Sequence, residues 1–351
     1  MDIKINELSA KTFNWLGMNE SVVKDVPEFE CGSMVVTTPD EVTCERELVD
    51  SIALISDSGV NSFVLKTKPG ITSSKPAIVK VPADAGTINK LVIDTDKDST
   101  ITVVMDYLSD SLHDEEKNKM FGVQTRIQAG SGSKVNLVQL LRHSSDYSCL
   151  NDIGAVLDDN ARLNIVQVIL DGDKNYMGCR VVLKGKGSSL KTDIGYMVNN
   201  DGRLDMNYEA VHEGKVTESE INAAGVLKNG AFKLFRGTID FKKGAAGAVG
   251  NEKEDVLLLD DNVVNQTIPI ILCAEEDVEG NHGATIGELD EQIMLYMQAR
   301  GLSREQVYEE MSKARIKAVC NLIPDEDTKN MMSDYLEGEQ LLENGGEQEN
   351  E

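Results

Sequence analysis

At 351 residues, 40% of them hydrophobic and 27% charged, the chain has the balance of a globular protein with a substantial core and room for two or three structural units. Its formal charge of −25 excludes nucleic acid and anionic membrane as partners, because phosphate contacts need clustered Lys and Arg. No apolar run approaches the roughly 20 residues of a membrane span, and the opening Met1-Asp2-Ile3-Lys4-Ile5-Asn6-Glu7 lacks the basic and apolar regions of a secretory signal.

Taken in order, residues 1–30 predict a short arm in which Phe13, Trp15, Leu16 and Met18 form an apolar cluster capping the next element. From there to about residue 283 the signal is short strands bounded by turns, such as Ser51-Ile52-Ala53-Leu54-Ile55, Ser62-Phe63-Val64-Leu65, Ile78-Val79-Lys80-Val81 and Thr100-Ile101-Thr102-Val103-Val104-Met105. Residues 110–119 are polar and acidic and read as a loop. Six cysteines (Cys31, Cys44, Cys149, Cys179, Cys273, Cys320) are scattered with no Cys-x-x-Cys pair, so reduced thiols in a cytoplasmic protein are expected instead of a disulfide framework.

A loose repeat runs through the strand region. Turn-forming residues precede apolar strand leaders at Val135, Leu163, Leu190, Leu204 and Phe232, separated by 28, 27, 14 and 28 residues. A coil that stacks equivalent strands gives this regularity. A β-sandwich is the competing reading. It would need one-sided alternation, whereas Ile165-Val166-Gln167-Val168-Ile169-Leu170 and Val256-Leu257-Leu258-Leu259 are apolar on both faces, which favours the coil.

Past Thr285 the period changes. Leu289, Ile293, Tyr296 and Met297 form one apolar helical stripe ending at Gly301, expected to pack as core against a neighbouring helix. Ser303 and Gln306 make a capping box for a second helix whose apolar face is Val307, Met311, Ala314 and Ala318. Pro324 ends it, Asp325 caps a third helix reaching Leu336, and the acidic residues 338–351 read as a disordered tail. The domains expected are thus an arm (1–30), a β core (31–283), a helical domain (284–337) and the tail.

Motifs for catalysis are missing. Gly185-Lys186-Gly187-Ser188 has Arg180 where a P-loop needs its first glycine and reads as a strand turn, so no nucleotide is expected on this chain. There is no His-Glu-x-x-His and no Gly-x-Ser-x-Gly. A β-helical carbohydrate-active enzyme with paired carboxylates remains as the alternative, weakened by 5% aromatic content and a single Trp. His113, His143 and His212 sit in no motif. His282 lies among nearby glycines, with Cys273, Glu275, Glu276, Asp277, Glu279 and Glu288 close in sequence. An imidazole in such company suits a transition metal such as iron; a structural histidine beside a turn is the plainer reading.

Asp277-Val278-Glu279-Gly280-Asn281-His282-Gly283-Ala284-Thr285-Ile286-Gly287-Glu288-Leu289-Asp290 resembles the Asp-Val-x-Cys-Ser-His-Gly-Ala-Thr-Val-Gly-x-x-Asp signature of the SufB/SufD family of the Suf iron–sulfur cluster assembly system. The likeness continues through Leu295-Tyr296-Met297-Gln298-Ala299-Arg300-Gly301 and, more weakly, back to Leu257-Leu258-Leu259 and Pro269. It implies a right-handed parallel β-helix followed by a small C-terminal helical domain. It also implies a non-catalytic scaffold subunit that dimerises through its β-helix, as a homodimer or with a SufB-type subunit. A SufC-type ABC ATPase would dock between Leu289 and Ala318, contacting Leu289, Ile293, Tyr296, Met297, Val307 and Met311. By resemblance to the SufD branch, His282 is the candidate residue for a transient iron–sulfur cluster at the dimer interface. Two family cysteine positions hold Gly280 and Val263 here.

Overall fold

The computed structural model describes residues 1–47, 62–108, 119–170 and 172–338. The expected strand at Ser51–Ile55, nearly all of the acidic loop and the tail beyond Gly338 lie outside them. Two sheets of parallel strands face each other across a narrow lumen, the chain alternating between them so that each coil adds one strand to each sheet. The result is a β-solenoid of about seven turns followed by three helices. One coil takes 26 to 34 residues, as the registers Cys149↔Asn175 and Thr87↔Phe121 show.

Those coils are the repeat seen in the sequence. Val135, Leu163 and Leu190 lie in register on successive strands and point into the lumen. Phe232 is the exception. The coil between Leu204 and its register partner Lys233 is one residue longer than 28, so Phe232 turns outward and Lys233 takes the lumen position. The corners are set by residues in the left-handed region: Asp98, Gly132, Asn160, Gly187, Val216 and Gly247 have φ between 55° and 76°. Their amides bond the next corner up, as Asn160 N–H does to Lys186 O at 2.9 Å. Gly185-Lys186-Gly187-Ser188 is one of these corners and not a phosphate loop.

Runs that are apolar on both faces have two apolar surroundings. Ile165 and Ile169 fill the lumen, while Val166, Val168 and Leu170 turn outward beneath the helices α2 (Arg304–Cys320) and α3 (Glu326–Gly338). Ile316, Val319, Ile323, Met332 and Leu336 complete that layer. Val319 approaches so closely that a Cβ on Gly195 would come within 3.1 Å of it. The capping box at Ser303 forms as expected, and Asp325 accepts from the Thr328 amide at 2.8 Å.

The N-terminal arm covers the outer face of the other sheet. Its strands Ile3–Ile5 and Ser21–Val23 pair antiparallel, and Ile5, Val23, Val26 and Phe29 pack on Ile88, Leu150 and Tyr176. A buried charge cluster fastens it: Arg236 donates to Asp205 at 2.6 Å and to Met18 O at 2.7 Å, and Asn6 donates to Asp205 at 2.8 Å. The expected apolar cap forms only in part. Phe13 and Met18 pack on Leu234 and Ile268, whereas Trp15 is 100% exposed and Leu16 is exposed with it.

Two outcomes test this description. Val216 is a β-branched residue at φ 57°, in a column otherwise held by Gly, Asn and Asp, and its side chain is exposed. Val216→Gly should raise the denaturation midpoint by about 1 kcal/mol in stability, since the left-handed region costs a non-glycine residue roughly that much. His143 and His212 are buried, and burial pushes both imidazoles down to about 4. Between there and the unfolded value near 6.5 only the unfolded chain takes up these protons. Stability present above about pH 6.5 should therefore be lost on acidification toward about pH 4, by up to roughly 3 kcal/mol per histidine. Urea titrations at about pH 7 and about pH 5 measure the drop, and His212→Gln should reduce it.

Candidate functional site

The two ends of the solenoid differ. At the N-terminal end the strand Val42–Glu47 pairs antiparallel and exposes Glu45 and Arg46, charges that discourage further pairing. At the C-terminal end both sheets stop on full-length strands, Val264–Cys273 and Val278–Gly287. Each pairs on one side only among the described residues, with Phe232–Phe241 and Ala248–Leu258 respectively. Their free edges carry unpaired backbone groups, and nearly every residue of Val278–Gly287 is exposed.

His282 lies in the middle of that last strand. The glycine-rich signature is therefore a ten-residue rung of the lattice in place of the turn its glycines suggested; none of Gly280, Gly283 and Gly287 has a positive φ. The strand runs to Gly287, beyond the sequence boundary at residue 283. Asp290 then caps α1 (Glu291–Gln298) by accepting from the Gln292 amide at 2.7 Å.

Alternation decides which groups share a surface. Val278 belongs with Ile239, Phe241 and Ala248 on the lumen side, so Gly280, His282, Ala284 and Ile286 face the lumen mouth as well. Asn281 faces out and bonds Asn251 at 3.0 Å and Glu279 at 3.1 Å. The carboxylates close to His282 in sequence disperse. Glu275 accepts the Gly244 amide at 2.9 Å, and the Gly244 and Glu276 amides hold its carboxyl below the usual range. Glu288 lines a separate cleft with Asp260, Arg304 and Tyr308. Cys273 is exposed, its thiol 3.2 Å from Glu275 O. Among the described residues no three His, Cys, Asp or Glu side chains converge as a metal site.

The mouth also holds groups that were not singled out from the sequence. Lys233 and Glu254 form a fully buried ion pair in the lumen. Thr267 donates to Glu254 at 2.6 Å and accepts from Lys233 at 3.1 Å, and Tyr196 donates to Glu254 at 3.3 Å. Glu252 lies two residues before Glu254 on the same side, and burial pushes its carboxyl up to about 7. The signal was available: Glu252 and Glu254 continue the period-two series of Val256 and Leu258. Deeper in the lumen Gln139, Asn151 and Gln167 link Tyr107 to Tyr208 through hydrogen bonds of 2.7 to 2.9 Å, closed by a short one from Tyr208 to Gln167. Cys149 and Cys179 lie beside these tyrosines, their thiols raised by burial. These thiols are poor nucleophiles.

The predicted partner stripe divides. No residue of α1 is buried; Ile293, Leu295 and Tyr296 are 44%, 66% and 55% exposed, so the stripe is not the helix-on-helix core expected. Leu289 and Met311 are half-buried against the layer under α2 and α3, and Met297 is half-buried too. Val307 is completely buried and therefore unavailable to a partner, because the inward face of α2 is Val307, Ser312, Ile316, Val319 and Cys320; Ala314 and Ala318 are exposed.

The SufBD core domain of the SUF system for FeS cluster assembly matches residues 78–314. The chain belongs to this family. It is 23% identical to the iron–sulfur cluster assembly protein SufD of Bacillus subtilis over 294 residues, covering 84% of this chain and 67% of that protein. A SufBD family protein of Staphylococcus epidermidis is 28% identical over 150 residues, and one of Staphylococcus aureus matches over the same length. Those stretches cover 42% of this chain and span about a third (32%) of the length of either staphylococcal protein. The SufBD match covers both the solenoid and its junction with the helices, and it displaces the carbohydrate-active alternative. No helix among the described residues is long and apolar enough to cross a membrane.

In the signature that the sequence resembles, the position of Gly280 can hold cysteine. A Cβ there would lie 3.1 Å from both Ile271 and Phe241, so the lumen wall must give slightly. Gly280→Cys should fold with a loss of about 1 kcal/mol, measured by chemical denaturation, and present its thiol to the mouth.

Proposed function

We propose that the chain is a non-catalytic scaffold subunit of a Suf-type iron–sulfur cluster assembly complex. The open C-terminal end of the solenoid carries this reading. Two ten-residue edges, each paired on one side only among the described residues, form a template for continuing the sheets into a second solenoid, and His282 faces the mouth that such pairing encloses. A second copy of this chain and a SufB-type subunit both fit that edge chemistry. The cluster is cargo passing through this interface. A SufC-type ATPase supplies the nucleotide chemistry, docking on the exposed face of α1 at Ile293, Leu295 and Tyr296, with Leu289, Met297 and Met311 at its margin. An apolar helix face without a covering element is the kind of surface a partner groove accepts. The complex belongs in the cytoplasm, where thiols stay reduced.

Co-expression with the ATPase tests the docking surface. Replacing Ile293 and Tyr296 by Asp should reduce ATPase recovery about tenfold or more while leaving the melting temperature unchanged, since neither side chain is buried. Undiminished recovery would remove α1 from the interface. Pairing is tested by sedimentation of Ala284→Arg, which places a large charge at the mouth. The wild type should sediment as a dimer, alone or with a SufB-type subunit, and the variant as a monomer.

A further inference from the structure

The N-terminal arm is a hairpin laid along the solenoid axis. Its base rests on the earlier coils, where Ile5, Val23, Val26 and Phe29 pack on Ile88, Leu150 and Tyr176. Asn6 and Ser21 then both donate to Asp205, one strand beyond Tyr176. On the strand after that, Arg236 donates to Met18 O at 2.7 Å. Leu8, Phe13 and Met18 pack on Leu234 and on Ile268 and Ile270 of the terminal strand Val264–Cys273. Each step toward the middle of the hairpin is thus a step toward the C-terminal end of the solenoid. The progression carries the apex, residues 14–17, to the edge of that strand, which is paired on one side only among the described residues.

The apex is held in a fixed shape. The Leu8 amide donates to Asn19 O at 2.8 Å, the Phe13 amide donates to the Asn19 side chain at 2.8 Å, and Gly17 takes a φ of 62°. What this frame presents is Trp15, 100% exposed, and Leu16, 66% exposed. A tryptophan left in solvent keeps about 150–250 Å² of largely apolar surface unburied, whereas Phe13 and Met18 on either side of it are packed.

We propose that this apex is a clasp that crosses the junction and lies over the outer face of a second copy of this chain, burying Trp15 and Leu16. The inference rests on the end-to-end pairing put forward above and adds a contact outside the paired edges. A second solenoid that continues the sheet sets its first strand about 4.8 Å beyond Val264–Cys273. The outward side chains of that strand prolong the surface on which Phe13 and Met18 already rest, and the apex stands over it. The helices cover the opposite sheet, which sets the apex apart from the α1 face. Two-fold pairing places one clasp on each side of the junction. An aromatic side chain fixed beforehand in its exposed position is the kind of anchor that dominates an interface.

Trp15 is the only tryptophan of the chain, so intrinsic fluorescence reports on it alone. At concentrations where the full chain sediments as a dimer, its emission should shift to the blue and its quenching by acrylamide should fall, relative to Ala284→Arg as the monomeric reference. Trp15→Ser should raise the dimer dissociation constant at least about tenfold. Thermal melts of dilute, monomeric samples should be unchanged by it, since the side chain is not buried. A dimer whose Trp15 is quenched as readily as in the monomer, or one that Trp15→Ser leaves equally tight, would overturn the clasp and leave the end-to-end pairing standing. A chain that stays monomeric at every concentration would overturn both the clasp and the pairing of two copies.

Discussion

The structure depends on axial register. Each strand hydrogen-bonds to the rung above and the rung below, so one coil fixes the position of the next and side chains of equivalent parity stack in columns. Two kinds of surface follow. Lumen columns fill with Val, Leu and Ile, and outward columns must be polar or covered. Here the arm covers one sheet and α2 with α3 cover the other. The same ladder makes an end unavoidable, because a stack of rungs satisfies its last strand on one side only. A solenoid either caps that edge or shares it. Val42–Glu47 is the capped solution, with exposed charge and antiparallel pairing. Val264–Cys273 and Val278–Gly287 are long and, among the described residues, paired on one side only, which is the form a shared edge takes.

Register also explains why charge lies inside the lumen near this end and not elsewhere along it. Polar groups in the middle coils are uncharged amides, phenols and hydroxyls that satisfy one another across strands, which a dry interior tolerates. The register of Leu204 with Lys233 brings an ammonium inward, and Glu254 on the facing sheet meets it. An isolated pair in such a place adds little net stability, since desolvation offsets the attraction. Its consequence is positional. Lys233 anchors Thr267 on the terminal strand through Glu254, and it leaves Glu252 as the group without a partner.

Much of this was legible in the sequence because repeat length and alternation are properties of the backbone lattice. The separations at Val135, Leu163 and Leu190 are coil lengths. The two-sided apolar run at residues 165–170 registers the cover on the outer face, and the change to helical period marks where the ladder stops. Other features depend on three-dimensional neighbours. Glycines around His282 resemble a turn, but an all-trans rung tolerates glycine wherever the opposite wall is close, as Ile271 and Phe241 are to Gly280. The α1 stripe has the spacing of a core helix, yet the element that would bury it is not part of this chain's described structure. Period alone distinguishes one face from another and cannot say what covers it. Glu252 and Glu254 went unremarked for a related reason: their meaning depends on Lys233, which the three-dimensional register with Leu204 places in the lumen.

The chemistry at the mouth follows from which donors the last two coils offer. Val263 packs against the lumen core and Gly280 faces the lumen, so both positions that the resemblance pairs with cysteine are on the inner side here, without sulfur. Cys273 is also on the inner parity, opposite Phe241, but it lies at the far end of its strand with its thiol near Glu275 O. What remains beside His282 is oxygen from Glu252. On the proposed scaffold reading, sulfur would therefore come from a facing subunit or from the cargo.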